Sequence, residues 1–229
     1  MKGWALVTGA GQRIGQAIAL DLAAQGWDII VHYNRSGDAA KAVAEEIHAL
    51  GQDAVLAEID LSQAQMAENL IPSLAEELGM IDALVNNASI FESDDKDADG
   101  ARHWAVNADA PRLLSKSFKA HMAKSERGVI VNLLDAALLE KPAEMPHYAG
   151  YSKSKIFLGE MTRNMAKSFA PQIRVNGVAP GFVLPSAGQS EAAFQKLSGG
   201  KTVTPEQVAV SVRQLIESPA VTGQVVTVA

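Results

Sequence analysis

The 229-residue chain contains no cysteine. Disulfide scaffolds, thiol catalysis, Cys-ligated zinc and iron–sulfur clusters are therefore excluded together. Long apolar runs are missing as well, since nothing approaches the 18 or more residues of a membrane span. The first strand-like segment begins at Trp4, which leaves no room for a secretory signal. These two absences make a cytoplasmic location the expectation. Positive charge is in deficit, with Lys plus Arg at 20 against Asp plus Glu at 26 and a net charge of −6. No overall field then favours nucleic acid or an anionic membrane, so any phosphate recognition has to be local. The 5 histidines fall at no metal-ligand spacing, and no metal site is expected. Fixed-period repeats, low-complexity tracts and a Pro/Gly/Ser linker are also lacking, so residues 1–229 read as one domain. With 48% hydrophobic and 20% charged residues the composition is that of a globular protein. A chain of this length can bury roughly 70 to 75% of its unfolded surface without a metal or disulfide staple.

What is present is an alternation of short apolar runs with amphipathic stretches. Strands are predicted at Ala5–Thr8, Asp28–Tyr33, Ala54–Ile59, Ala83–Asn86, Val129–Leu133, Arg174–Ala179 and Gln224–Val228. They are rich in Val, Ile and Leu without clean alternation, as parallel strands buried on both faces should be. Ala40, Val43, Ile47 and Leu50 form one apolar helix stripe, and Met66, Leu70, Leu74 and Leu78 another. Ser62 with Gln65 and Thr204 with Gln207 read as capping boxes, the second with Pro205 at the first helical position. The acidic run from Glu92 to Gly100 reads as a solvated loop. Strand and helix repeated this often predict a doubly wound α/β fold, an open parallel sheet of about seven strands with helices on both faces.

The segment Ala5 to Gly15, Ala-Leu-Val-Thr-Gly-Ala-Gly-Gln-Arg-Ile-Gly, passes from a buried strand through a glycine-rich turn into a helix reaching about Gln25. Glycine permits φ > 0 and lets backbone N–H groups approach a pyrophosphate at a helix N-terminus. In a first βαβ unit, such a turn predicts dinucleotide binding. Thr8-Gly-x-x-x-x-Ile-Gly15 is followed in order by Asn86-Asn87-Ala88, Asn107, Tyr151-x-x-x-Lys155 and Pro180-Gly181. This order of motifs resembles the short-chain dehydrogenase/reductase family over essentially the whole chain. The resemblance implies a Rossmann-like fold and a homotetramer. It implies cofactor contacts at Gly9, Gln12, Arg13, Ile14, Gly15, Asn87, Ala88, Ser89, Tyr151, Lys155, Pro180 and Gly181, with Asp60 and Leu61 bracketing the adenine. Arg13 departs from the pattern, standing where the family usually has the middle glycine of the turn. The last strand stops at Ala229 without the Asp-Gly-Gly that commonly follows, so a clipped C-terminus is expected.

NAD sites place an Asp or Glu about 20 residues beyond the glycine turn, where it holds the ribose 2′-OH. Here the second strand leaves through Asn34-Arg35-Ser36 instead. An amide, a guanidinium and a hydroxyl at that place suit a 2′-phosphate, and Arg13 adds charge on the neighbouring turn, so the predicted cofactor is NADP(H).

Tyr151 and Lys155, at i and i+4, share one helix face. A nearby ammonium should lower the tyrosine pKa from its usual value near 10 toward the working range. In the resembling family this tyrosine protonates the substrate, the lysine also holds the nicotinamide ribose, and an asparagine matching Asn107 supports a proton relay through water. Tyr148 has no lysine at i+4 and reads as a decoy. Where the family usually carries Asn-x-x-Ser, this chain has Asn132-Leu-Leu-Asp135. An ionised carboxylate only accepts hydrogen bonds and repels a developing oxyanion. Ketone reduction is thereby disfavoured, whereas a substrate with N–H donors or a C=N bond fits. Asp135, Arg13, Asn87-Ala-Ser89-Ile-Phe91 and His32-Tyr-x-Arg35-Ser36 together resemble the pteridine reductase subgroup, which includes dihydromonapterin reductases. That resemblance implies a pterin-like substrate held by Arg13, Ser89, Phe91, Asp135 and Tyr151, with Phe91 stacked on one face of the ring. A long insert with Pro142 and Pro146 separates Asp135 from Tyr151. Pro185 stands in the stretch where the family has a nicotinamide contact, and residues 182–201 have the composition of a mobile substrate lid. Two alternatives stay open: a general carbonyl or 3-oxoacyl reductase, and a catalytically silent NADP(H)-binding sensor.

Overall fold

Seven apolar runs become seven parallel strands of one sheet. The structure is a computed structural model that describes residues 2–122, 128–140, 145–186 and 188–229. Its first half is β1 (Trp4–Val7), α1 (Arg13–Ala24), β2 (Asp28–Tyr33), α2 (Gly37–Ala49), β3 (Ala54–Glu58), α3 (Ala64–Leu78) and β4 (Ile81–Asn86). The second half begins with α4 (Ala101–Trp104), a π-helical turn (Ala105–Asp109), α5 (Ala110–Met122), β5 (Gly128–Leu133) and α6 (Ala136–Glu140). It ends with α7 (Ala149–Phe169), β6 (Ile173–Pro180), α8 (Glu191–Ser198), α9 (Pro205–Glu217) and β7 (Val225–Val228). The strand order is β3-β2-β1-β4-β5-β6-β7.

Side chains alternate across this sheet, yet both faces are buried. Ala5 and Val7 of β1 pack with Ile18 and Leu22 of α1, Val43 and Ile47 of α2, and Val208 and Val212 of α9. Leu6, between them, joins Leu70 and Leu74 of α3, Leu114 and Phe118 of α5, and Leu158 of α7. A strand covered by helices on both sides needs apolar residues at every position, which is why its sequence shows no period of two.

Strand positions agree with the sequence reading to within one or two residues, and the other differences have local causes. Leu50 and Met66 leave their stripes, being 47% and 48% exposed. Leu50 lies just past the last residue of α2 and Met66 in the first turn of α3, so neither reaches the sheet. The Ser62–Gln65 capping box does not form. Asp60 Oδ1 instead accepts the Ser62 N–H at 3.0 Å, and α3 starts only at Ala64, with Gln63 contributing no side-chain cap. The Thr204–Gln207 box forms in both directions.

The strand order reverses between β1 and β4. Their C-terminal ends therefore flank the crevice in which open α/β sheets take ligands. Among the described residues, no helix is long and apolar enough to cross a membrane. No group of His, Asp and Glu among them could hold a metal ion.

Candidate active site

At the crevice, the chain leaves β1 through Gly9, whose φ is +66°, and enters α1 at Arg13, whose φ is +57°. Arg13 thus takes the left-handed backbone that favours glycine, a conformation that is costly for a side chain with a Cβ. A Cβ on Gly15 would lie 2.0 Å from Gly9 O, so the turn and the first coil of α1 touch backbone to backbone. The N-cap residue Gln12 makes no side-chain bond, and no acid occupies the first turn of α1. These amide groups remain available to an anion, and the cradle fits a pyrophosphate.

Two neighbours brace the turn. Asn87 donates to Thr8 O at 2.8 Å, while the backbone N–H groups of Asn87 and Ala88 donate to Thr8 Oγ1 at 2.9 and 3.0 Å. His32, at the end of β2, accepts the Gly9 N–H on Nδ1 at 3.0 Å and donates from Nε2 to Ile59 O at 3.1 Å. Only the neutral imidazole can do both. Burial pushes its pKa down to about 4, which keeps it neutral.

Beyond His32, Asn34 and Arg35 are exposed, and Arg35 and Ser36 line a cavity of about 400 Å³ together with Tyr33, Asp38 and Glu58. Asp60 is held below the usual carboxylate range, chiefly by the Ser62 N–H it accepts, with the nearby Arg35 charge a smaller cause. Leu61 is 5% exposed and belongs to the core beneath. Arg13 does not reach toward Arg35. Its Nη2 donates to Pro185 O at 2.8 Å, tying the turn to the stretch after β6. That stretch leaves Pro180 with Gly181 donating to Val228 O at 2.8 Å, and its α8 buries Phe194 against Phe182. Pro142 lies outside the described residues, whereas Pro146 is described and exposed.

At the candidate reacting centre Tyr151, 7% exposed, donates its hydroxyl to Asp135 Oδ2 at 2.8 Å. Lys155 Nζ donates to Leu133 O at 2.9 Å. The expected lowering of the tyrosine pKa by the lysine is not what this arrangement produces. Burial, and after it the charge and hydrogen bond of Asp135, push the Tyr151 phenol well above its ordinary value. Lys155 is itself pushed down to about 8 by burial, Asp135 opposing the shift. The ammonium is spent on a carbonyl, and the nearest full charge to the phenol is negative.

Asn107 sits in the π-helical turn and is fully buried. Its Oδ1 accepts the Ile90 N–H at 2.9 Å and the Ser89 hydroxyl at 3.2 Å, and its Nδ2 donates to Ile90 O at 3.0 Å and Ser154 Oγ at 3.2 Å. It therefore fastens the segment after β4 to α7. Phe91, 42% exposed, follows directly and stacks on Tyr148 with centroids 4.4 Å apart and planes 4° apart. It meets Tyr151 edge-on at 4.7 Å. Tyr148, which reads as a decoy in the sequence, thus belongs to the same aromatic wall.

The acidic loop is not simply solvated. Asp94 accepts the Ala149 and Gly150 N–H groups at 3.1 and 3.3 Å and so caps the helix that carries Tyr151. Asp97, 6% exposed, accepts the Arg102 and His103 N–H groups at 3.1 and 2.9 Å and meets His103 Nδ1 at 2.5 Å. Burial alone would raise the Asp97 carboxyl, but these partners together hold it below its usual range. His103 is 0% exposed, and its ring lies 6.3 Å from Tyr151. No local spacing signals Asp94, Asp97 or His103, because their partners are set by where the loop folds back.

An open parallel sheet that brings a buried proton-bearing tyrosine to the same edge as a phosphate-receiving turn is the layout of a dinucleotide-linked oxidoreductase. Residues 3–196 match the short chain dehydrogenase family, and the chain belongs to that family. It is 33% identical over 232 residues to a 3-oxoacyl-[acyl-carrier-protein] reductase of Synechocystis sp., covering 96% of this chain and 92% of the relative. Among solved structures, it resembles FolM alternative dihydrofolate reductase 1 from Brucella canis, crystallised with NADP, at a TM-score of 0.89 and 32% identity, with 98% of this chain and 91% of that chain covered. Acetoin dehydrogenase YohF from Salmonella typhimurium superposes at 0.87 with 28% identity, over 100% and 94% of the two chains.

Proposed function

We propose that this protein is an NADPH-dependent reductase of a pterin-like substrate, one reductase domain over residues 1–229 that assembles as a cytoplasmic homotetramer. The observation that carries the substrate class is the 2.8 Å hydrogen bond from Tyr151 to Asp135. A 3-oxoacyl substrate offers only acceptor oxygens there, and a carboxylate repels the charge that grows on them. A pterin offers N–H groups, and its C=N nitrogen needs a proton when the adjoining carbon takes a hydride. The NADP in the Brucella canis FolM structure and the Arg35–Ser36 exit from β2 support NADP(H) as cofactor.

Bound NADPH supplies the hydride. Gly9, Gln12, Ile14 and Gly15 hold the pyrophosphate at the head of α1, and Asn34, Arg35 and Ser36 hold the 2′-phosphate. Asp60 and Leu61 border the adenine, while Asn87, Ala88, Ser89, Pro180, Gly181 and Lys155 flank the nicotinamide half. Tyr151 carries the proton, and Asp135 aims it and accepts from a substrate N–H. Phe91 presents a flat apolar face to the substrate ring, backed by Tyr148. Residues 182–201 act as the lid, held to the phosphate turn by the bond from Arg13 to Pro185, and exclude water from the proton path.

The test is kcat/KM for one dihydropterin and one 3-oxoacyl thioester, with the native protein and with Asp135→Ser. The native protein should favour the pterin. The substitution should move the ratio toward the thioester by about 1 to 3 kcal/mol, the size of a buried polar mismatch. Thioester reduction by the native protein with no pterin turnover would establish the second reading, which the Synechocystis relative favours.

A further inference from the structure

The cavity of about 400 Å³ at the ends of β2 and β3 carries a charge balance that the sequence does not suggest. Along β2 the expected acid is absent and Arg35 stands near its place, so the site reads as cationic. The folded cavity is lined by that one guanidinium and by two carboxylates, Asp38 and Glu58. Glu58 comes from the neighbouring strand, directly opposite Tyr33 in the parallel register. The Tyr33 hydroxyl donates to Glu58 Oε2 at 3.2 Å, which holds the carboxylate at the cavity wall. Among the described residues, no ion pair neutralises it. Arg35 is shared, since its charge also acts on Asp60.

We propose that Glu58 is a specificity-determining residue of this cavity, which holds the preference for NADPH over NADH well below what Arg35 would give by itself. The proposal rests on the NADP(H) reading above. The physical argument is one of position. A carboxylate at the end of β2 reads a ribose 2′-OH by accepting its hydrogen bond and rejects a 2′-phosphate by repulsion. Adjacent strands lie about 4.8 Å apart, so an acid one strand over, at the same level, acts on the same group. Glu58 is exposed, and its repulsion is screened by solvent and salt. The effect is accordingly a few-fold change in affinity rather than exclusion.

The experiment measures dissociation constants of NADPH and NADH, at low ionic strength and at about 0.5 M salt, for the native protein, Glu58→Gln, Tyr33→Phe and Arg35→Gln. Glu58→Gln keeps an oxygen for Tyr33 and removes only the charge. It should tighten NADPH by about three- to tenfold at low salt and leave NADH within about twofold, with the gain shrinking at high salt. Tyr33→Phe, which frees the carboxylate to turn outward, should give a smaller change of the same sign. Unchanged or weaker NADPH binding in Glu58→Gln overturns the proposal. Arg35→Gln tests the underlying reading separately. If it weakens NADPH while Glu58→Gln does nothing, only the role of Glu58 fails. If it leaves NADPH binding unchanged, the NADP(H) reading of the cavity fails with it.

Discussion

Burial of Tyr151 and a carboxylate 2.8 Å from its hydroxyl both favour the protonated phenol. In the proposed reaction the residue is stored as an acid, to hold its proton until a basic substrate atom takes it. Tyr151→Phe removes the proton and keeps the ring, so kcat should fall by roughly 10² or more while NADPH affinity stays nearly unchanged. Tyr148→Phe preserves the stack on Phe91 and should change kcat/KM by less than about threefold. Single-turnover rates and cofactor titration of both variants check this, and the opposite sensitivities would assign the proton to Tyr148. The Tyr151–Lys155 pair was legible in the sequence through its place in the order of the family's motifs, and a four-residue spacing puts both residues on one helix face. The sense of its electrostatics was not. Burial is its first cause, and the second, Asp135, reaches Tyr151 only because the chain turns back after β5, while Lys155 is drawn to a carbonyl 22 positions away.

Among the elements, α7 decides how firmly the proposed reacting centre is held. Its N-terminus is capped from the acidic loop by Asp94 and pressed against that loop at Gly150, where a Cβ would come within 2.9 Å of Gly100 Cα. Asp94→Ala should cost about 1 kcal/mol of stability, as the loss of a helix cap does. It should also lower kcat several-fold while leaving the KM for NADPH unaltered, since the glycine turn is braced separately by Asn87 and His32. A urea midpoint and a kcat both equal to those of the native protein would remove Asp94 from this role. The contrast between the two capping boxes shows where local reading stops. The Thr204 side chain accepts from Gln207 and caps α9, whereas the Ser62 N–H is captured by Asp60 and the helix begins later. The acidic loop fails for the same kind of reason. A run of carboxylates looks solvated until backbone N–H groups and a buried histidine come to meet it.

For the molecule as a whole, His32 joins the glycine turn, β2 and the end of β3 through one neutral ring. Its pKa of about 4 makes stability depend on pH with a definite sign. Above about pH 6.5 the folded and unfolded chains are both neutral at this residue. As pH falls from about 6.5 to about 4, the unfolded chain binds a proton that the folded one refuses, and stability declines by up to about 3 kcal/mol. Urea midpoints between roughly pH 7 and 4.5 should fall less steeply for His32→Gln, which keeps a donor and an acceptor without titrating; equal slopes would show that His32 does not govern this range. The sequence by itself determined the order of strands and helices, the glycine turn at the head of α1 and the tyrosine–lysine pair on α7. Each depends on apolar spacing, backbone freedom or helix periodicity over a few residues. Only the tertiary structure decided which charges face the site: Glu58 across from Tyr33, Asp135 against Tyr151, and Asp94 beneath α7. Those pairings arise from sheet register and chain reversal, and at Tyr151 the strength of the effect arises first from desolvation, which no residue has until the whole core has closed around it.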